Sequence, residues 1–343
     1  MNDAIERKIA RVVHSVRTLE GGGFPVRRPF PTADLLDVDP FLLLDHLGPV
    51  AWGPGEGIGA PDHPHRGFET VTYLLEGEMQ HKDSGGHSGS LRPGDVQWMT
   101  AGSGVVHSEL PSPRFMQEGG TMHGFQIWVN LPAADKMIAP RYQEVPRDRI
   151  PEAHSGDGRV RVRIIAGESM GTGAVIDTHT PIVYLHFTLE PGGRITQSVP
   201  ADHNGLVYVV RGEATLASDG VRVREGQLAV LGEGDVVTVS VADDGETTDL
   251  LVLAGRPIGL KPKLELADHV YEPALAVEVH VGQVVREVGE VVADAHSQVV
   301  AHVAVDTDQR AGTGVTGVDL VALARLHTHV PLTHKVPVRP QDD

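Results

Sequence analysis

Two separated stretches of this chain repeat one rhythm: a short apolar strand closed by glycine, then another strand. The first is TVTYLLEG with PGDVQWMTAG after it; the second is HNGLVYVVRGEATL, followed by REGQLAVLGEGDVVTVS and DLLVLAG. An apolar run of strand length that ends on glycine reads as one arm of a hairpin, and its recurrence at a distance reads as a duplicated unit. The chain is thereby constrained to an all-β architecture built twice. Its 40 glycines and 24 prolines, with few helix-patterned segments, suit many short strands joined by turns. With 343 residues there is room for two domains, since single domains run to about 100–200 residues.

Within the first unit, His63 and His65 are two apart, and so are His107 and Glu109. In an extended strand, side chains at that spacing leave the same face. If the two segments lie close in one barrel, three imidazoles and a carboxylate converge. That set suits a borderline divalent metal such as iron, manganese, nickel or copper, with positions left for water or substrate. A lone His-x-His pair carries little weight, because 19 histidines in 343 residues give about one such pair by chance. His327 and His329 are such a pair without supporting context. What distinguishes His63 and His65 is the glycine-rich approach, the strand that follows and the second pair downstream.

Charge and composition narrow the partners. There are 29 Lys and Arg against 46 Asp and Glu, a net −17, and an acidic surface repels phosphate backbones, so no nucleic-acid partner is expected. The absence of cysteine rules out a disulfide framework and a thiolate site, leaving His and carboxylate as metal ligands. The N-terminal stretch MNDAIERKIARVVHSVRTLEGGG lacks the apolar core of a signal peptide, and no run approaches the ~20 apolar residues of a membrane span. A cytoplasmic protein with no membrane partner, acting as a monomer, is expected.

Along the chain, residues 8 to 18 form an alternating strand that Gly21, Gly22 and Gly23 end, and Phe41–Leu44 is a buried strand with His46 beside it as a core or rim histidine. His81, Asp83 and His87 fall in the turn-rich stretch MQHKDSGGHSGS and read as solvated loop or hydrogen-bonding groups rather than ligands. Gly102 and Gly104 fit a tight bend that aims His107 inward. Met99, Phe125, Gln126, Ile127 and Trp128 sit in strands flanking the site, and parity alone does not say which of them face it. Pro140, Pro146 and Pro151 mark a linker.

The run Gly57-x5-His63-x-His65-x3-Glu69, followed by a strand and Gly77, resembles the first motif of the cupin barrels, and PGDVQWMTAGSGVVHSE resembles the second. Together with VRRPFP, DPFLLLDHLGPV, HPHRGFETVTYLLEGEMQHKDSGG and HGFQIWVNLP, this wording resembles the pirin family of two-domain cupins, from about residue 10 to residue 258. The resemblance implies two tandem cupin barrels: an N-terminal one over 8–134 with the metal, a linker over 135–155, and a metal-free C-terminal one over 156–258, with His203 as a rim or core residue. It implies His63, His65, His107 and Glu109 as ligands of one metal, iron first, with manganese, nickel, copper or cobalt as alternatives, and Glu69 as a structural or supporting residue. It also implies quercetin 2,3-dioxygenase activity on a flavonol and O2, with Glu109 as the catalytic base. The alternative is a non-catalytic, metal- and redox-responsive regulator working through protein partners.

Residues 259–343 depart from the family pattern. After Tyr271 there is no Phe, Trp, Tyr or Ile, and small apolar side chains bury little area at ~25 cal/mol per Å². That composition fits either a shifted reading frame of a GC-rich gene or a divergent, disordered tail.

Overall fold

The computed structural model describes residues 4–259 and two further strands, Glu290–Ala293 and Val299–His302. The chain divides into two units, Met1–Leu264 and Glu265–Asp343. In the second, the two strands pair antiparallel, with Glu290 opposite His302. The expectations for the rest of the tail, including His327 and His329, lie outside the described residues.

The first unit opens with β1 (Ile9–His14), β2 (Val16–Glu20), β3 (Phe24–Phe30), β4 (Phe41–Trp52), β5 (Ala60–His65), β6 (Phe68–Glu76), β7 (Met79–Asp83) and β8 (Ser88–Leu91). It continues with β9 (Val96–Thr100), β10 (Val105–Pro111), the short helix α1 (Pro113–Glu118), β11 (Gly120–Asn130) and β12 (Arg141–Val145). A seven-stranded sheet in the order β12-β9-β6-β11-β4-β3-β2 and a four-stranded sheet in the order β5-β10-β7-β8 make the first barrel.

The same pair of sheets then recurs. It uses β13 (Glu152–His154), β14 (Val160–Ala166), the small hairpin β15 (Glu168–Ser169) and β16 (Thr172–Gly173), β17 (Ile182–Leu189), β18 (Arg194–Ser198) and β19 (Asn204–Arg211). Then come β20 (Glu213–Leu216), β21 (Val221–Arg224), β22 (Gln227–Leu231), β23 (Val236–Ser240) and β24 (Thr248–Gly255). Their orders are β1-β22-β19-β24-β17-β14-β13 and β18-β23-β20-β21. The expected all-β double cupin is the fold. No helix among the described residues is long and apolar enough to cross a membrane.

Two boundaries expected from sequence move. β1 does not pair with the strands that follow it in sequence; Val12 lies opposite Ala229 of β22, so the chain starts in the second barrel's sheet. Within 135–155, β12 adds to the first large sheet with Tyr142 opposite Met99, and β13 adds to the second with Ala153 opposite Val162. Pro140, Pro146 and Pro151 stand just outside these two edge strands, where the missing N–H costs no ladder bond, which is why a proline-rich stretch that reads as linker still contains two strands.

The two seven-stranded sheets face one another. Alternation sends Val71, Tyr73, Trp98, Phe125 and Ile127 from the first barrel into one apolar cluster with Tyr184, Leu206, Tyr208, Leu251 and Leu253 from the second. The interior of the second barrel is aliphatic apart from Phe187, filled by residues such as Val162, Leu185, Val209, Val239 and Val252. His203 is buried at its edge, with Nδ1 2.8 Å from Asp202 Oδ1.

Tyr73 and Tyr208 hold the same place in the two repeats, and each reaches into the opposite barrel. Tyr73 OH is 2.9 Å from His186 Nδ1, and Tyr208 OH is 3.0 Å from His46 Nδ1. Arg163 Nη1 donates to Tyr73 OH at 3.0 Å, which leaves the phenol proton free for His186 Nδ1, and burial favours the neutral imidazole that can accept it. Burial pushes His186 down to about 4 against a smaller opposing pull from Asp249, and burial also pushes His46 well down. A histidine in the unfolded chain takes its proton near pH 6.5. The folded state refuses that proton until about pH 4, so stability is full above pH 6.5 and falls as pH drops toward 4, by up to ~1.4 kcal/mol per pH unit for His186. Urea midpoints at pH 7 and pH 5 should therefore differ less in His186→Gln than in the wild type. Taking the difference between the two proteins cancels Asp45, which burial raises to about 6 and which titrates in the same window with opposite sign. Equal pH slopes would refute the assignment.

Candidate metal centre

β5 is an edge strand, which suits Pro61 and Pro64, neither of which can donate to a ladder. It pairs antiparallel with β10 so that His63 lies directly opposite His107. The register then slips, and Glu109 faces Ala60, so β5 carries one extra residue there. Such a bulge bends its strand and re-aims the side chains. The close approach at this point requires glycine: a Cβ on Gly59 would sit 2.3 Å from the Glu109 carbonyl oxygen.

The result is three imidazoles, of His63, His65 and His107, whose ligand nitrogens all lie within 4.8 Å of one another. His65 is 3 % exposed and His107 1 %. Nδ1 of His63 lies 2.7 Å from the Pro61 carbonyl oxygen; donation to it fixes the tautomer and leaves the Nε2 lone pair free. Nδ1 of His65 and both ring nitrogens of His107 are buried with no hydrogen-bond partner. Leaving several such atoms unpaired costs on the order of 1–3 kcal/mol each, and a cation at the centre would satisfy those that face it. Burial, with His63 and His107 beside it, pushes His65 down to about 2, and burial lowers His107 as well. Neutral imidazoles are the form that binds metal. The donor set therefore fits a divalent transition metal, and no other group of this kind occurs among the described residues.

Glu109 stands at the edge of this cluster. Its Oε2 is 3.9 Å from His107 Nε2, while Oε1 accepts from the Thr72 hydroxyl at 2.9 Å. Of the four ligands expected from sequence, the structure gathers the three histidines and holds the carboxylate beside one of them.

The walls resolve the parity question. Trp128 and Phe68 meet the His65 ring edge-on, with centroids 5.3 and 5.1 Å away. Met99 packs with Val105 of β10 and Tyr142, and Gln126 lies opposite Thr72. Phe125 and Ile127 point the other way, into the cluster between the barrels. Glu69 does too: its Oε1 accepts from Thr100 Oγ1 at 2.7 Å, and burial raises its carboxyl. Gly102, at φ 52°, makes the bend before His107, and a Cβ there would lie 2.2 Å from the Ile138 carbonyl oxygen.

Of the two readings open from sequence, His81 and Asp83 take the hydrogen-bonding one. They lie on β7, directly opposite Glu109 and His107, rather than in a solvated loop. His81 is buried, with Nε2 2.6 Å from Glu144 Oε1 and its ring stacked on Tyr142 at 5.0 Å. His87 is in the exposed turn, 3.1 Å from Asp83. Thr72, His81 and Tyr142 are the neighbours of the site that sequence reasoning misses. The signal available for them was alternation, since Thr72 and Thr70 share the parity that faces the histidines.

Comparison with known proteins adds the relatives. The family model described as Pirin matches residues 23–129, and that of the pirin C-terminal cupin domain matches residues 184–262. A pirin-like protein of Solanum lycopersicum is 45 % identical over 240 residues, covering 70 % of this chain and 78 % of that one. The pirin of Homo sapiens is 41 % identical over 255 residues, covering 74 % and 83 %. Among solved structures, a quercetin 2,3-dioxygenase from Acinetobacter baumannii superposes with a TM-score of 0.69 at 37 % identity, covering 74 % of this chain and 88 % of that one.

Proposed function

The chain belongs to the pirin family, and from that premise we propose that its first barrel is a metal-dependent dioxygenase acting on a flavonol of the quercetin type. The observation that carries the proposal is the set of three converging, largely unpaired imidazoles, those of His65 and His107 buried, with a carboxylate poised beside them. The relative named as a quercetin 2,3-dioxygenase supports the choice of substrate class. His63, His65 and His107 hold one divalent metal, iron by preference, with Glu109 as the fourth ligand. The metal supplies a Lewis acid that lowers the pKa of a bound hydroxyl.

The side chains do the rest. Glu109 accepts the proton of the flavonol hydroxyl through Oε2, the oxygen that Thr72 leaves open. Trp128, Phe68 and Met99 give the histidines an apolar surround suited to a planar aromatic ring. In the overall reaction dioxygen opens the central ring, carbon monoxide leaves, and the proton held on Glu109 returns to the product. The test is to load the protein with iron, offer a small panel of flavonols and follow oxygen uptake, loss of flavonol absorbance and carbon monoxide release. All three signals in step are expected. Metal-loaded protein that turns over no member of the panel would remove the enzymatic reading in favour of a regulator.

A further inference from the structure

We propose that Thr72 is the positioning residue that fixes Glu109 as a one-oxygen partner of the metal centre. The inference rests on the reading of this site as a metal centre with Glu109 at its edge. Thr72 stands on β6, in the large sheet, and Glu109 on β10, in the small one, so their hydrogen bond crosses the barrel interior. Thr72 is 3 % exposed. Water is a poor substitute there, and a carboxylate is the stronger acceptor for its proton.

The Thr72 oxygen also lies 2.8 Å from Oε1 of Gln126, its direct cross-strand neighbour. A hydroxyl has one proton and cannot serve two acceptors. With that proton on Glu109, the Gln126 amide must present its NH2 to Thr72, an exchange of amide N and O that leaves the geometry unchanged. The result is a directed chain, Gln126 to Thr72 to Glu109, in which each group donates to the next. It pins Oε1 on the side away from His107 and leaves Oε2 as the oxygen nearest His107 Nε2. Without the hydroxyl, the carboxylate is free to rotate and the one-oxygen arrangement is lost.

Cobalt(II) provides a probe that needs no substrate. Thr72→Val keeps the branched shape and removes the hydroxyl; Thr72→Ser keeps the hydroxyl and removes the methyl. Loss of a partner that orients a ligand costs about 10–100-fold in metal affinity. Thr72→Val should lose that much cobalt(II) affinity and change the visible cobalt spectrum, and Thr72→Ser should stay close to the wild type. In a Glu109→Ala background, Thr72→Val should cost nothing further, because positioning is non-additive with the group positioned. Thr72→Ala, carried through the same cycle, replaces Thr72→Val if the latter fails to fold by circular dichroism. The proposal is overturned by unchanged affinity and spectrum in Thr72→Val, by a loss that Thr72→Ser shares, by a loss that adds in full to that of Glu109→Ala, or by wild type that binds no cobalt. Absence of flavonol turnover would sink the proposed activity and leave these affinities fully readable.

Discussion

His65→Ala should empty the proposed metal centre, whereas His203→Ala should leave its metal content unchanged. His65 is one of three imidazoles in the cluster, and Glu109, already assigned as the fourth ligand, cannot also take its place. Changes to groups that merely orient a ligand cost about 10–100-fold in affinity, so loss of a direct ligand should exceed that. His203 lies in the second barrel, beside Asp202 and away from any comparable cluster among the described residues. Metal content per chain by elemental analysis, on protein purified side by side, distinguishes the two. Equal depletion in both variants would end the single-site reading. Because His65 packs on Phe68 and Trp128, a thermal melt should accompany the measurement, to separate a lost ligand from an unfolded barrel.

The second large effect is at Glu109. Glu109→Gln keeps the size and one carbonyl lone-pair donor but removes the charge and the capacity to take a proton. Metal should remain bound, more weakly, while flavonol turnover per bound metal falls by roughly 10²–10⁴-fold, the usual worth of a positioned general base. If Glu109 were only a ligand, activity per bound metal would survive and the loss would track metal content. Turnover and metal content both near wild type would take Glu109 out of the mechanism.

The histidines were legible in sequence because a spacing of two fixes a shared face wherever the strand lies. His63, His65 and His107 needed only the pairing of β5 with β10 to meet. Glu109 met the same criterion, but the slip in register at Ala60 and the bond to Thr72 hold it at the edge, and neither feature is local in sequence. His81 was illegible for another reason: the glycines and serines around it look like loop, yet the strand is pinned from outside by β10 on one side and β8 on the other. Facing direction was decided by the second barrel. Phe125 and Ile127 turn away from the histidine cluster because a second sheet covers them there, and Trp128 and Gln126 turn toward it by default. The repeat in sequence foretold two barrels, but which strands cross between them depends on contacts far apart along the chain.

The placement of β1 sets the order in which the molecule can be completed during synthesis. Ile9–His14 leaves the ribosome before the other described strands, yet Ile9 pairs with Leu231. At about 5–20 residues per second, its partner emerges roughly 220 residues, or about 10–45 s, later. The strands of the first barrel, through β12, are all available long before that. The nascent chain therefore carries an unpaired leading strand past a nearly finished barrel, exposed to any free sheet edge it meets. Closure of the second barrel's large sheet waits for β22, near the end of residues 4–259, so the two barrels, though duplicated in pattern, are completed at different times, and a chain stopped before Gln227 leaves β1 without a place to go.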